Sequence, residues 1–195
     1  MPLAEAAGFA LAIGMVFCSI RELHWSWPLA IASSILYFFV FQDSQLYGES
    51  ALQIVFAILA LWGWWQWLRS DKALAKANSE ASEDTPLLHI ARLTSTHRWR
   101  MVMVSLVLWP LVSLFLQHYT DTDVPWWDGF TTSLSLVGQY LLGRKYVENW
   151  LVWIVVNGVS IGLFAYKGLW LTVLLYLIFV VMSVIGWRTW QRKIH

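Results

Sequence analysis

The stretch RKYVENWLVWIVVNGVSIGLFAYKGLWLTVLLYLIFVVMSVIGWRTW, residues 144–190, has a counterpart in RELHWSWPLAIASSILYFFVFQDSQLYGESALQIVFAILALWGWWQW, residues 21–67. At a constant shift of 123 positions, and without a gap, Arg21 meets Arg144, Trp27 meets Trp150, Phe41 meets Phe164, Leu46 meets Leu169, Leu52 meets Leu175 and Phe56 meets Phe179. Gly63, Trp64 and Trp67 meet Gly186, Trp187 and Trp190. Three coincident tryptophans, from a rare residue type, mark a duplicated unit.

The solvent of that unit is lipid. Apolar residues make up 58% of the chain and charged residues 13%, which is too little polar surface to cover a soluble core. The net charge of +1 and the lack of a basic face exclude nucleic acid as a partner. The single Cys18 offers neither a disulfide framework nor a thiolate metal site. The N-terminal stretch lacks the basic region of a cleavable leader and is expected to stay as the first span.

Apolar runs long enough to cross a bilayer fall at residues 5–23, 27–43, 46–68, 98–117, 126–143, 147–166 and 168–190. The expected fold is therefore an all-α integral membrane protein of seven transmembrane helices. Each copy, extended upstream by one run, is a three-span unit (1–68 and 118–195), and the span at 98–117 joins them. Two directly fused odd units would be antiparallel, and the linker helix turns the second back. The result is a 3+1+3 order of two parallel triple-helix bundles, related by a pseudo-two-fold axis along the membrane normal. The polar segment 69–97 reads as a cytoplasmic loop with at most a short amphipathic helix. Positive residues stay inside. With the N-terminus outside and the C-terminus in the cytoplasm, twelve of the thirteen Lys and Arg fall inside and only Lys167 outside.

Deep polar residues are the candidates for a site, because a polar side chain at bilayer depth is costly unless it faces protein or water. Asn157 is central in the sixth span, and its mate is Ser34. Thr131, Ser135 and Gln139 recur at i, i+4 and i+8 on one face of the fifth span. Gln53 and Glu49 are one turn apart on the third, and the mate of Gln53 is Tyr176. Glu49 lies near the outer surface, as a candidate gate or as a hydrated interfacial acid. Trp150, Trp153 and Asn157 share one face (i, i+3, i+7). Indole faces attract flat rings and cations, and a deep amide orients a hydroxyl or another amide. Trp62, Trp64, Trp65, Trp67, Trp99, Trp126, Trp127, Trp170, Trp187 and Trp190 suit the interfacial aromatic belt. The competing reading for the hydroxyls is a bond to their own i−4 carbonyl or to a neighbouring helix. Pro110 is expected to kink the fourth span, and Gly138 and Gly158 to ease packing or bending.

The segment carrying W-x-x-W-x-x-x-N at Trp150, Trp153 and Asn157, together with LYGESALQ and LWGWWQWL, resembles the bacterial PnuC family of vitamin B3 transporters over essentially all seven spans. The order of spans is similar to that of the SWEET sugar transporters. The resemblance implies a bacterial inner-membrane protein that takes up nicotinamide riboside by facilitated diffusion, with cytoplasmic phosphorylation trapping the product. It also implies a homotrimer. On that footing Trp150 and Trp153 border the pyridinium ring, Asn157, Gln53 and Gln139 bond the carboxamide and ribose, and Tyr176 and Ser34 complete the wall. The shortage of basic residues around this set argues against a phosphorylated substrate.

Other classes stand beside this reading. An intramembrane enzyme would need paired carboxylates, a metal-spaced His cluster or an activated nucleophile, and the five histidines sit in loops or at span ends with no such spacing. No cofactor or metal is called for. A proton-coupled carrier of another flat nucleoside-like or sugar substrate would need a titratable group in the path. Midspan Asp, Glu, Lys and Arg are absent, which favours uniport. A scaffold role is opposed by Asn157 and by the polar face of the fifth span.

Overall fold

The computed structural model describes residues 2–43, 47–80, 88–166, 168 and 170–194, with side chains from residue 10 onward except at 40–49, 73–80 and 171. Among the described residues seven helices follow the apolar runs: α1 (Pro2–Ile20), α2 (Ser26–Asp43), α3 (Tyr47–Glu80), α4 (Ser95–Tyr119), α5 (Pro125–Gly143), α6 (Asn149–Tyr166) and α7 (Trp170–Gln191). In lipid every backbone polar group must be bonded internally, so the apolar runs become helices. The breaks fall where capping and turn chemistry appear. Thr94 accepts a hydrogen bond from the backbone N–H of His97 at the start of α4, and Pro125 opens α5. Four helices are long and apolar enough to cross a membrane among the described residues, at Ser50–Lys72, Ser95–Tyr119, Asn149–Tyr166 and Thr172–Gln191. The surface is apolar as well, with Met103, Leu106, Val107 and Leu111 of α4 more than half exposed. Such a surface suits hydrocarbon, not water.

The helices close on themselves. Among the described residues α1 packs on α2 and α7, α2 also on α3, α3 also on α5, α5 also on α6, and α6 also on α7. Six helices thus form a ring, and α4 lies outside it against α5 and, less extensively, α3. Gly129 permits the α4–α5 contact, since a Cβ there would meet Ser113 Oγ at 2.2 Å. Pro110 lies inside α4.

The two copies of the repeat build the same local structure twice. Trp27 packs edge-on to Trp67 with ring centroids 5.3 Å apart and planes at 87°, and Trp150 packs on Trp190 at 5.5 Å and 89°. The glycines make room. A Cβ on Gly63 would lie 2.2 Å from the Trp27 ring, and one on Gly186 2.6 Å from Trp150. The turn before each second helix also repeats, with Glu22 and Lys145, one repeat apart, at φ 56° and 53°. Non-glycine residues seldom adopt that left-handed region.

Two expectations need correction here. Trp67 and Trp190 are not interfacial anchors. Both are fully buried, because the glycine four residues before each lets a second indole dock beneath it. Trp65, Trp99, Trp126, Trp127 and Trp170 remain exposed and suit the belt. The third helix also outlasts its apolar run. α3 continues to Glu80, because SDKALAKANSE contains no Gly or Pro to stop it. Beyond it, the segment 88–94 is held down: Leu88 N–H donates to Ser70 Oγ (2.8 Å), Val147 N–H donates to the Ala91 carbonyl (3.0 Å) and Leu93 N–H donates to the Glu148 carboxylate (3.1 Å).

Candidate substrate site

The ring of helices surrounds a cavity of about 180 Å³. It draws on α1, α2, α5, α6 and α7, and no Asp, Glu, Lys or Arg lines it among the described residues. The repeat organises its wall. Of the seven first-half residues that line it, six face their mates across the cavity: Ala12 with Ser135, Val16 with Gln139, Ser19 with Leu142, Ser26 with Asn149, Trp27 with Trp150 and Ala30 with Trp153. The cavity therefore lies between the copies. Its chemistry is lopsided, since the second half alone supplies Asn157, Gln139, Trp153 and Tyr176.

Asn157 is the most telling of these. It is 5% exposed, lines the cavity, and no hydrogen bond reaches its amide among the described residues. The amide is not among the atoms sealed off without a partner, so it is open to the cavity and placed to bond something that enters. Gln139 also lines the cavity. Trp153 stands beside Gly138, where a Cβ would come within 3.2 Å of the indole. Tyr176 is set by Phe164 and Phe179, with ring centroids at 5.1 and 5.8 Å. Trp150 forms part of the floor, 2% exposed and fixed by Trp190.

Six of the expected residues thus meet in one place: Trp150, Trp153, Asn157, Gln139, Tyr176 and Ser135. Three do not line it. Ser34 is buried, Gln53 is half-buried, and the Thr131 hydroxyl donates to the Trp127 and Asp128 carbonyls of its own helix (3.2 and 3.0 Å). Glu49 falls in α3, with its side chain outside the described residues. Ser135 also donates to its own turn, at the Thr131 carbonyl (2.8 Å). The sequence reading did not single out Ser19, Ser26, Asn149 and Ser183. For Ser26 and Asn149 a signal existed, since each directly precedes a repeated tryptophan. Gly158 has nothing within 4 Å of a Cβ position among the described residues.

Below the floor lie the charged residues of the two turns. Glu22 accepts from Lys145 Nζ (3.1 Å) and Lys193 Nζ (2.6 Å), and Lys145 Nζ sits 4.8 Å from the centroid of the Trp67 ring. Burial works to raise the Glu22 carboxyl, but the hydrogen bonds and charges of Lys193 and Lys145 outweigh it and leave the pKa below its ordinary value.

A bundle clad in apolar side chains around an uncharged cavity with a waiting amide is the make-up of a membrane transport protein. Residues 2–192 match the sequence family described as nicotinamide mononucleotide transporter. The chain belongs to that family, the PnuC transporters, which are carriers and not enzymes. It is similar to the nicotinamide riboside transporter PnuC of Escherichia coli, 28% identical over 174 residues that span 80% of this chain and 71% of the relative. It is similar also to the riboflavin/roseoflavin transporter RibM of Streptomyces davaonensis, 27% identical over 188 residues, or 95% and 83% of the two chains. A crystal structure of the vitamin B3 transporter PnuC superposes with a TM-score of 0.71 at 24% identity, over 95% of this chain and 79% of that one. This last likeness shows the fold.

Proposed function

We propose that this protein carries nicotinamide riboside across a bacterial inner membrane by facilitated diffusion, with phosphorylation inside the cell trapping the product. The observation that carries the reading is that Trp150, Trp153 and Asn157 meet Gln139 and Tyr176 around one cavity without a charged wall. Trp150 and Trp153 offer indole faces to the pyridinium cation, while Asn157 and Gln139 bond the carboxamide and ribose. Ser135 and Tyr176 complete the wall. The missing basic groups favour the riboside over its mononucleotide, since a phosphate calls for charge-assisted bonds. They favour uniport too, because proton coupling needs a titratable group in the path.

The same proposal includes the architecture: two parallel three-helix units related by a pseudo-two-fold along the membrane normal, joined by α4, and assembled as a homotrimer. The end that bears Arg21, Arg144 and Lys193 faces the cytoplasm, with both the N-terminus and Asp121 to Asp128 outside. The equivalent tryptophan pairs and the equivalent neighbours of each helix support it.

Calorimetry with the riboside, its mononucleotide and free nicotinamide tests the substrate. The riboside should bind tightest, and Asn157→Leu should weaken it roughly 5- to 150-fold, the equivalent of about 1–3 kcal/mol. Unchanged affinity in Asn157→Leu would sink the assignment. Riboflavin belongs in the same series, because the RibM relative covers almost the whole chain.

A further inference from the structure

We infer that the tryptophan layer between the cavity and the basic end of the bundle is a gate of this carrier, and that Glu22 is the latch that holds it shut. The inference rests on the transport reading above and adds where the path opens.

Three observations converge on the layer. The first is closure: Trp27, Trp67, Trp150 and Trp190 are each at most 2% exposed, and Trp27 and Trp150 form the cavity floor. The second is unpaired polarity. Among the described residues, every buried side-chain polar atom without a partner lies here: His24 Nδ1, Ser26 Oγ, the indole N–H groups of Trp27, Trp64, Trp67 and Trp150, and Asn149 Oδ1. Buried polar groups are ordinarily bonded. Seven exceptions collected in one layer, and none elsewhere among the described residues, describe a surface built to be wet in another state. When the layer parts, these donors and acceptors meet water and a passing polyhydroxyl substrate. When it closes, they are stranded, and something else must favour closure.

The third observation supplies that. Glu22 and Lys145 occupy the same position in the two copies and bond each other, so their ion pair bridges the α1–α2 turn and the α5–α6 turn. Lys193, at the end of α7, binds the other carboxylate oxygen. Lys145 also rests on the face of Trp67, which couples the latch to the tryptophans. A further tie, the Trp190 indole N–H to the Ile20 carbonyl at 3.2 Å, crosses between the same elements. By contrast the His24–Asp71 pair, at 2.6 Å, joins the α1–α2 turn to α3 inside one copy. Breaking it should leave the halves latched.

Accessibility of the layer is the direct test. In a Cys18→Ser background, Ser26→Cys places one thiol at a position that is 2% exposed, and its rate of modification by a water-soluble maleimide reads the open population without any substrate. Adding Glu22→Gln, or separately Lys193→Gln, should raise that rate several-fold, and Asp71→Asn should leave it unchanged. Equal rates in all four proteins would overturn the latch. In a second arm, Glu22→Cys with Lys145→Cys, joined by a short bifunctional methanethiosulfonate, should stop riboside uptake in vesicles and recover it on reduction. Undiminished uptake by the joined protein overturns the gate. If the riboside fails to bind at all, the substrate reading falls while the maleimide rates still decide the gate.

Discussion

Ser26 and Trp27 in the first copy and Asn149 and Trp150 in the second stand at equivalent places on the cavity floor, each tryptophan over a glycine and edge-on to a partner. One turn deeper the copies part: Ala30 faces Trp153, and Val16 faces Gln139. Equivalent positions near the floor carry packing, which both halves need to close the ring. Divergent positions above it carry recognition, and a ligand with unlike ends requires the two walls to differ. Duplication thus supplies a symmetric frame, and substitution in one copy supplies specificity.

The frame can be broken first. Gly63→Ala and Gly186→Ala each force a methyl into an indole ring, and overpacking of this kind costs about 1–3 kcal/mol, seen as a lower thermal midpoint in detergent. The two should destabilise comparably. Only Gly186→Ala displaces the tryptophan of the W-x-x-W-x-x-x-N face, so its loss of riboside affinity should be the larger. A greater affinity loss in Gly63→Ala would mean that recognition is not concentrated in the second half.

Smaller effects sharpen the contrast. Removing one neutral hydrogen bond costs about 1–1.5 kcal/mol, so Gln139→Ala should weaken riboside binding roughly 5- to 15-fold, while Val16→Ala at its mate stays within about twofold. Ser34→Ala and Thr131→Val should also stay within about twofold. A fivefold loss from either of these last two, by calorimetry, would show that substrate reaches beyond the cavity described here.

Helix number and order were open to reading because lipid imposes a length and an internally bonded backbone on every crossing segment. The extent of α3 was less open: its tail from Ser70 to Glu80 is polar and therefore looked like a loop, although it contains nothing that stops a helix. The packing of Leu88 and Ile90 against the tryptophan layer left no trace in local sequence, because it depends on which elements meet. In the site, Asn157 and Trp153 were legible through cost and spacing. Ser26 and Asn149 carry a weaker signal, each directly preceding a repeated tryptophan at the start of a helix. Thr131 shows the converse: depth alone marks a polar residue as costly, while the helix's own carbonyls satisfy its hydroxyl without any ligand.

The smallest expected effect is an absence, and it separates a latch from a proton switch. The net pKa of Glu22 is lowered, so its ion pair contributes fully above the ordinary carboxylate value and is lost only as pH falls through the lowered one. The groups facing it are Lys145 from the α5–α6 turn and Lys193 from α7, and His24, on its own turn, is engaged by Asp71 of α3. Between about pH 5.5 and 8, well above the reference carboxylate value, riboside uptake into vesicles at fixed membrane potential should therefore show no step that Glu22→Gln removes. A step in the parent that vanishes in Glu22→Gln would make Glu22 a titrating member of the path and turn the carrier from uniport toward proton coupling. A step that survives Glu22→Gln leaves the latch intact and points to Glu49, the acid expected near the opposite face.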